Sequence, residues 1–342
     1  MKAQSKKAVF TSCNLDYLDR AILLAETCKK HTSDFDFILI LSDFVDFDDF
    51  AELHGSLFDR VIDSCELGIP RFLQWSFRHS VVELCTAVKA HAFIHLLDCG
   101  YEDVIYLDPD IACFSSLDST FNTLDRYSIL LTPHQLNPAQ TPQQFFDNEL
   151  CSFQHGIYNL GFLAIRKSAE SERLLSWWST RLYHHCKEAI EIGIFTDQKW
   201  FDAAPAFFND LLVLKHPGLN VASWNLSERH LEISDTGLIV NGSYPLVFYH
   251  FTKYFGAGRE MTMRYAQTTS VVTIWNWYGR KILEVRERTA RFRKKGKYQY
   301  FKTGDAIAAH HRLAWKEIES KIDNCSIDPY ECPQAIIGGL SH

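Results

Sequence analysis

Two aspartates flank a proline at the end of an apolar run, Val104-Ile105-Tyr106-Leu107-Asp108-Pro109-Asp110. Side chains two apart on an extended strand project to one side, so both carboxylates can approach one cation. Hard oxygen donors at a sheet edge suit Mg²⁺ or Mn²⁺, which keep room in their shell for phosphate oxygens. A solvated turn is the competing reading, since Asp-Pro favours turns, and the tripeptide leaves both open. Other reactive groups are scattered. His250 closes the run Leu246-Val247-Phe248-Tyr249-His250-Phe251, where an isolated imidazole also reads as a hydrogen-bonded core residue. Asp197 and Gln198 lie in Phe195-Thr196-Asp197-Gln198-Lys199-Trp200, which equally reads as a helix start capped by Thr196 or Asp197. None of the ten cysteines shows C-x-x-C spacing, which excludes a zinc ribbon or thioredoxin-like site.

The elements that must position these groups alternate. Residues 8–13 read as a strand, 17–31 as a helix, 35–41 as a strand and 82–99 as a helix stopped by Gly100. Residues 103–107 and 128–132 are two further buried strands. Such alternation predicts an α/β fold with helices on both faces of a sheet, and ligands at the carboxyl ends of its strands. Thr11, Asn14, Asp108 and Asp110 fall there. Residues 133–150, with three prolines, read as a long loop and a lid or binding-loop candidate. A strand over 160–166, a helix over 168–186, a hairpin over 230–240 and a strand over 246–251 follow.

With those elements in place, the motifs fall into a familiar order. The chain resembles the GT-A nucleotide-sugar glycosyltransferases, close in pattern to the glycogenin and lipopolysaccharide galactosyltransferase-like (family 8-like) group. The segment from Thr11 to Tyr17 is similar to the one that holds base and ribose, and Lys89 stands where the family has a basic residue near the diphosphate. Tyr106-Leu107-Asp108-Pro109-Asp110 resembles the D-x-D motif, and Tyr158-Asn159-Leu160-Gly161-Phe162 the N-x-G strand entry near the donor sugar. Asp197-Gln198, Trp224-Asn225 and His250-Phe251 resemble the later D-Q, W-N and H-F. The likeness covers about residues 8 to 256. It departs after His250-Phe251, where Thr252-Lys253-Tyr254-Phe255-Gly256 replaces the usual G-x-x-K-P-W, leaving Lys253 or Lys89 to clamp the distal phosphate.

The resemblance implies a Rossmann-like, mixed, mainly parallel central sheet flanked by helices, with a helical C-terminal extension. Its implied division is a catalytic domain over 1–260 (nucleotide half about 1–132, donor-sugar and acceptor half about 133–260) and a basic extension over 261–342. It implies a metal-dependent glycosyltransferase moving a sugar from a nucleotide-diphosphate donor, a UDP-hexose with retention, to a glycan or lipid-linked acceptor in surface polysaccharide synthesis. Asp108, Asp110 and His250 would hold Mn²⁺ or Mg²⁺. Thr11, Asn14, Tyr17, Lys89, Asp108, Asp110, Gly161 and Lys253 would bind the donor, and Asp197, Gln198 and Asn159 would be catalytic. The metal would stabilise the leaving diphosphate as a Lewis acid and a nearby lysine would add positive charge. If the reaction inverts instead, Asp197 becomes the general base. Bland readings stay beside these: a bulge glycine at Gly161, and core roles for Trp177, Trp178 and Trp200, with Trp75 and Trp224 open for the acceptor side.

Composition bounds the rest. The 342 residues are 46% hydrophobic and 23% charged, which excludes a disordered chain. A net charge of −7 argues against nucleic acid as a partner. Yet the stretch from Arg280 to Lys302 holds ten basic residues and two acidic ones, interleaved with Phe292, Tyr298, Tyr300 and Phe301. It reads either as a solvated face or as a peripheral contact with an anionic membrane. No run is long enough to span a bilayer. Cysteines in apolar runs, such as Cys85 and Cys99, read as buried reduced thiols, so the expected location is cytoplasmic, free or peripheral at the inner membrane face. Rival enzymes fit less well: a D-x-D phosphatase has Gly-Thr after its second aspartate where this chain has Ile111-Ala112, and no G-x-G-x-x-G follows the first strand. A non-catalytic sugar-nucleotide-binding protein stays as the alternative.

Overall fold

A computed structural model of the chain describes residues 6–43, 57–235, 237–293, 296–319, 327–331 and 333. Seven strands form the central sheet. They include β1 (Lys7–Cys13), β2 (Asp36–Leu41), β3 (Arg60–Asp63) and β4 (Asp103–Leu107). After the short β5 (Ile111–Cys113) come β6 (Ile129–Pro133) and β7 (Tyr158–Arg166). The sheet order is the strand Leu211–Val213, then β6, β7, β4, β1, β2 and β3. Only β7 runs antiparallel to its sheet neighbours, β4 and β6. The expected mixed, mainly parallel α/β sheet is therefore what forms.

Period-two alternation builds the two faces. On β1, Ala8 and Phe10 join one apolar cluster, with Phe93 and Trp178, while Val9 and Cys13 join the other, with helix α1 (Leu18–His31). Each fully buried Leu, Ile or Phe side chain contributes ~1.5–3 kcal/mol, so two-sided burial accounts for the near-continuous apolar runs in β1, β2 and β4. The helix expected over 82–99 is interrupted at Val88. It forms as Val81–Ala87, opened by a Ser80/Glu83 capping box, and Lys89–Asp98, with Lys89 at the head of the second piece.

Several expectations are corrected. Residues 133–150 are not one long loop. Thr141 Oγ1 caps the amide of Gln144, Pro142 sits in the first turn, and helical backbone then runs through Phe145–Leu150, a π-helical segment, and Cys151–His155. The expected helix cap at Thr196 or Asp197 does not form. Thr196 has a left-handed backbone (φ 44°), its hydroxyl lies on Asp197 Oδ1, and the short turn Lys199–Ala203 has no side-chain cap. Cys99 is exposed, just past its helix, and Cys85 is half-buried, while Cys13, Cys28, Cys113 and Cys186 are buried free thiols. Cys325 and Cys332 lie outside the described residues. Trp75 is fully buried, with its indole N–H donated to the Tyr183 carbonyl, so it is not an acceptor platform.

The C-terminal helices pack onto the sheet layers. In the helix Thr269–Arg293, Arg286 Nε lies 2.8 Å from Asp19 and Arg288 pairs with Glu26 on α1. Phe292, Tyr298 and Phe301 are buried, and Tyr298 donates to the carbonyls of Ser76 and His79. Three of the four interleaved rings thus serve packing rather than a surface. Lys294, Lys295 and most of the chain from Asp323 onward lie outside the described residues. No helix among the described residues is long and apolar enough to cross a membrane.

Candidate active site

The two aspartates meet by a different route from the one an extended strand would give. β4 ends at Leu107, the chain turns, and the Ile111 amide bonds back to the Asp108 carbonyl at 3.0 Å. β5 then pairs antiparallel with the strand Phe248–His250, placing His250 opposite Ile111, and the Phe251 amide bonds the Asp110 carbonyl at 2.8 Å. This small second sheet is what carries a residue 140 positions downstream to the carboxylates. His250 Nε2 lies 2.9 Å from Asp110 Oδ1 and 3.7 Å from Asp108 Oδ2. One ligand atom from each of Asp108, Asp110 and His250 lies within 4.8 Å of the others. The expected turn and the expected cation cluster are both present.

Two carboxylate oxygens and one imidazole nitrogen form a donor set for a Mg²⁺- or Mn²⁺-like ion. The surrounding shape fits. A Cβ on Gly161 would lie 2.6 Å from His250 Cε1, 2.7 Å from Asn159 Oδ1 and 2.8 Å from Asp108 Oδ2, so only glycine leaves this cradle open. Burial alone would raise the Asp110 carboxyl, but the adjacent His250 brings it below the usual carboxylate range. Reciprocally, burial would lower His250, and Asp110 raises it above the ordinary imidazole value. His250 Nδ1 is buried with no partner among the described residues, and the ring is held edge-on by Trp224 at 5.2 Å.

Lys89 is the buried hub beneath the cluster. Its ammonium lies 3.2 Å from Asp108 Oδ1, 2.9 Å from Asp197 Oδ2 and 3.0 Å from the Leu160 carbonyl. Burial opposes its charge, yet Asp108 and Asp197 carry its pKa above the ordinary lysine value. Burial raises Asp197, with Lys89 acting against it and Asp108 adding to it. Lys89 is thus spent on two carboxylates and a carbonyl; it fixes the site rather than projecting from it.

Asn159 and Gln198 are locked to each other. Asn159 Nδ2 donates to Gln198 Oε1 at 3.1 Å, and that oxygen also accepts the Leu160 amide. Gln198 Nε2 donates to the His155 carbonyl at 3.0 Å. Asn159 Oδ1 accepts from the Gly161 amide and from Asn220 Nδ2. Thr11, Ser12 and Asn14 are buried at the end of β1, where the Thr11 and Ser12 hydroxyls have no partner among the described residues. Tyr17 is 43% exposed, with the Arg20 guanidinium 4.0 Å over its ring. Arg20 helps to lower the Asp110 carboxyl, and Asp110 in turn adds to the burial that raises the Tyr17 hydroxyl. Lys253 stands apart, on an exposed turn with φ 47°.

Four site residues escaped the sequence reading. Tyr106 donates to Asp108 Oδ1 at 2.5 Å, and its position two before Asp108 on β4 was the available signal. Arg20 lies in the first turn of α1. His134 and Asn220 support Asn159 through bonds of 3.2 and 3.0 Å, and nothing in their local sequence marks them.

No family model matches the chain. Two Bacillus subtilis (strain 168) proteins, both named only as uncharacterized, are similar in sequence. YfnF is 27% identical over 153 residues, 45% of this chain and 50% of its own length. YfnD is 24% identical over 194 residues, 55% of this chain and 59% of its own. The chain therefore spans about half the length of the curated relatives it matches. Similar solved structures include the glycosyltransferase GlyE of Streptococcus pneumoniae TIGR4, with TM-score 0.46 and 16% identity over 82% of this chain and 64% of that one. Galactosyltransferase LgtC, in complex with donor and acceptor sugar analogues, gives TM-score 0.46 and 12% identity over 75% of this chain and 94% of the other.

Proposed function

We propose that this chain is a metal-dependent glycosyltransferase of the GT-A kind, moving a hexose from a UDP-sugar to a glycan or lipid-linked acceptor in surface polysaccharide synthesis. The observation that carries the reading is the convergence of Asp108, Asp110 and His250 around the open cradle at Gly161, with Asp197 tied to the same cluster through Lys89. Asp108, Asp110 and His250 would hold Mn²⁺ or Mg²⁺. When bound, the ion supplies Lewis-acid stabilisation to the departing diphosphate.

The chain's own residues do the rest. Lys89 holds Asp108 in place and ties the Asp197 carboxylate to the same ammonium. The bare Cα of Gly161 lets the donor sugar approach the strand backbone. Thr11, Asn14 and Tyr17 line the nucleotide side, with Arg20 bringing positive charge toward Asp110. Asp197 orients sugar hydroxyls. Gln198 and Asn159 hold the entry of β7, so that hydroxyl contacts from them require exchange of an existing amide bond. Retention is the favoured outcome because Asp197 is occupied by Lys89, a poor arrangement for a strong base toward an acceptor.

The test is a screen for UDP, GDP or CMP release from nucleotide sugars with added Mn²⁺, followed by NMR of the product linkage. UDP release that Asp110→Ala abolishes while the circular dichroism spectrum is kept supports the reading. Near wild-type turnover by that variant removes the metal-site assignment.

A further inference from the structure

A second cavity shares no residue with the carboxylate cluster, and what it binds is independent of the proposed activity. A cavity of about 410 Å³ opens between the start of the helix Phe72–Phe77, the carboxyl end of the helix Ala169–His185 and the helix Ala309–Glu319. Arg71, Arg78, Lys187 and Lys316 line it, together with His184 and His185. Glu319 is the one lining carboxylate among the described residues, so the described wall carries +3 with the histidines neutral. A helix carboxyl terminus explains two histidines through its dipole, but not four permanent cations drawn from three separate segments.

The cations are poorly compensated. Arg78 Nη1 reaches Glu319 Oε2 only at 3.6 Å, while Arg78 Nη2 is buried without a hydrogen-bond partner among the described residues. The guanidinium is held rigidly, 5.2 Å over the Tyr183 ring and 5.9 Å over Trp75. Burial lowers His79, and Arg78 and Lys316 lower it further. Burial likewise lowers His185, reinforced by His184, Lys187 and Arg78. Arg78 thus acts on both imidazoles, in the same direction as their burial.

We propose that this cavity binds a phosphate-bearing ligand. A single carboxylate would leave most of the charge uncompensated, whereas a phosphomonoester dianion or a diphosphate matches it. An immobilised arginine fork with a free donor is the group best suited to phosphate oxygens. The same phosphate chemistry could be carried by a small solute or by a lipid headgroup.

The experiment is calorimetric titration of the full chain with inorganic pyrophosphate at low salt in EDTA, where the metal-free carboxylate cluster repels anions. A parallel arm measures co-sedimentation with phosphatidylcholine vesicles, with and without phosphatidic acid. The double substitution Arg71→Gln/Lys187→Gln removes two cations from exposed or half-buried positions, and its thermal unfolding checks that the fold is kept. Pyrophosphate binding weakened at least tenfold in the double variant, and unchanged in Asp110→Asn, supports a soluble phosphate ligand. Phosphatidic-acid-dependent sedimentation lost in the same variant supports a lipid phosphate. The absence of both kinds of binding in the wild type, or undiminished binding in the double variant, overturns the proposal.

Discussion

At the residue scale, the site is a charge network whose members hold one another. Lys89 is the only described cation in direct contact with both Asp108 and Asp197. Replacing it with methionine leaves carboxylates facing each other in a buried space, which costs ~3–5 kcal/mol when one partner of a buried pair is lost. Lys89→Met is therefore expected to lower the urea midpoint and abolish turnover, with Lys89→Arg losing less stability; equal unfolding curves for wild type and Lys89→Met would count against the network. Gly161→Ala separates shape from charge. Its Cβ would press on His250, Asn159 and Asp108, so we expect about 1–3 kcal/mol of destabilisation and at least a hundredfold loss of turnover. Much of this was legible in the sequence: Asp108 and Asp110 by their spacing, and Asp197, Asn159 and His250 by motif order. Lys89 was legible as a candidate residue, but not its role, because its partners come from the turn after β4 and from a segment more than a hundred residues away. His134 and Asn220 were hidden for the same reason.

At the scale of elements, the two small strands around the turn matter more than their length suggests. β5 and Phe248–His250 are three residues each, too short to read as a pair, yet their register sets the His250 position. The large sheet was easier, because its strands are long apolar runs separated by amphipathic helices. The 133–150 region was harder: its prolines read as a loop, whereas Pro142 in a first turn starts a helix rather than ending one. The stretch Arg280–Lys302 was read by its charge, and the packing of the helix Thr269–Arg293 on α1 was invisible. Arg286 reaches Asp19, whose side chain is fully buried, so Arg286→Met is expected to cost roughly 1–3 kcal/mol. Hydrogen exchange should then show faster amides in α1 as well as around residue 286; protection lost only near residue 286 would mean that the two helices open independently.

At the scale of the whole molecule, stability should depend on pH through imidazoles buried in neutral form. Burial lowers His134 to about 4 from an ordinary 6.5, and lowers His79 well below that ordinary value. The unfolded chain binds these protons first, so their stabilising contribution is complete above about pH 6.5 and falls as pH drops toward 4. For His134 alone the loss by pH 5 is about 2 kcal/mol. Melting temperature should fall between pH 7.5 and 5, and less steeply in His134→Gln; a flat wild-type profile would contradict this. Distant parts of the chain meet at this scale: the second sheet brings His250 to Asp110, and the helix Thr269–Arg293 pairs with α1 through Arg286 and Arg288. The central claim is that Asp108, Asp110 and His250 hold one divalent ion for a nucleotide donor, and electron paramagnetic resonance of Mn²⁺ titrated with UDP tests it most directly. The account predicts one tightly bound Mn²⁺ per chain in the presence of UDP, with affinity at least tenfold weaker in Asp110→Asn and in His250→Ala. Mn²⁺ binding unchanged in both variants, or none in the wild type, would contradict it.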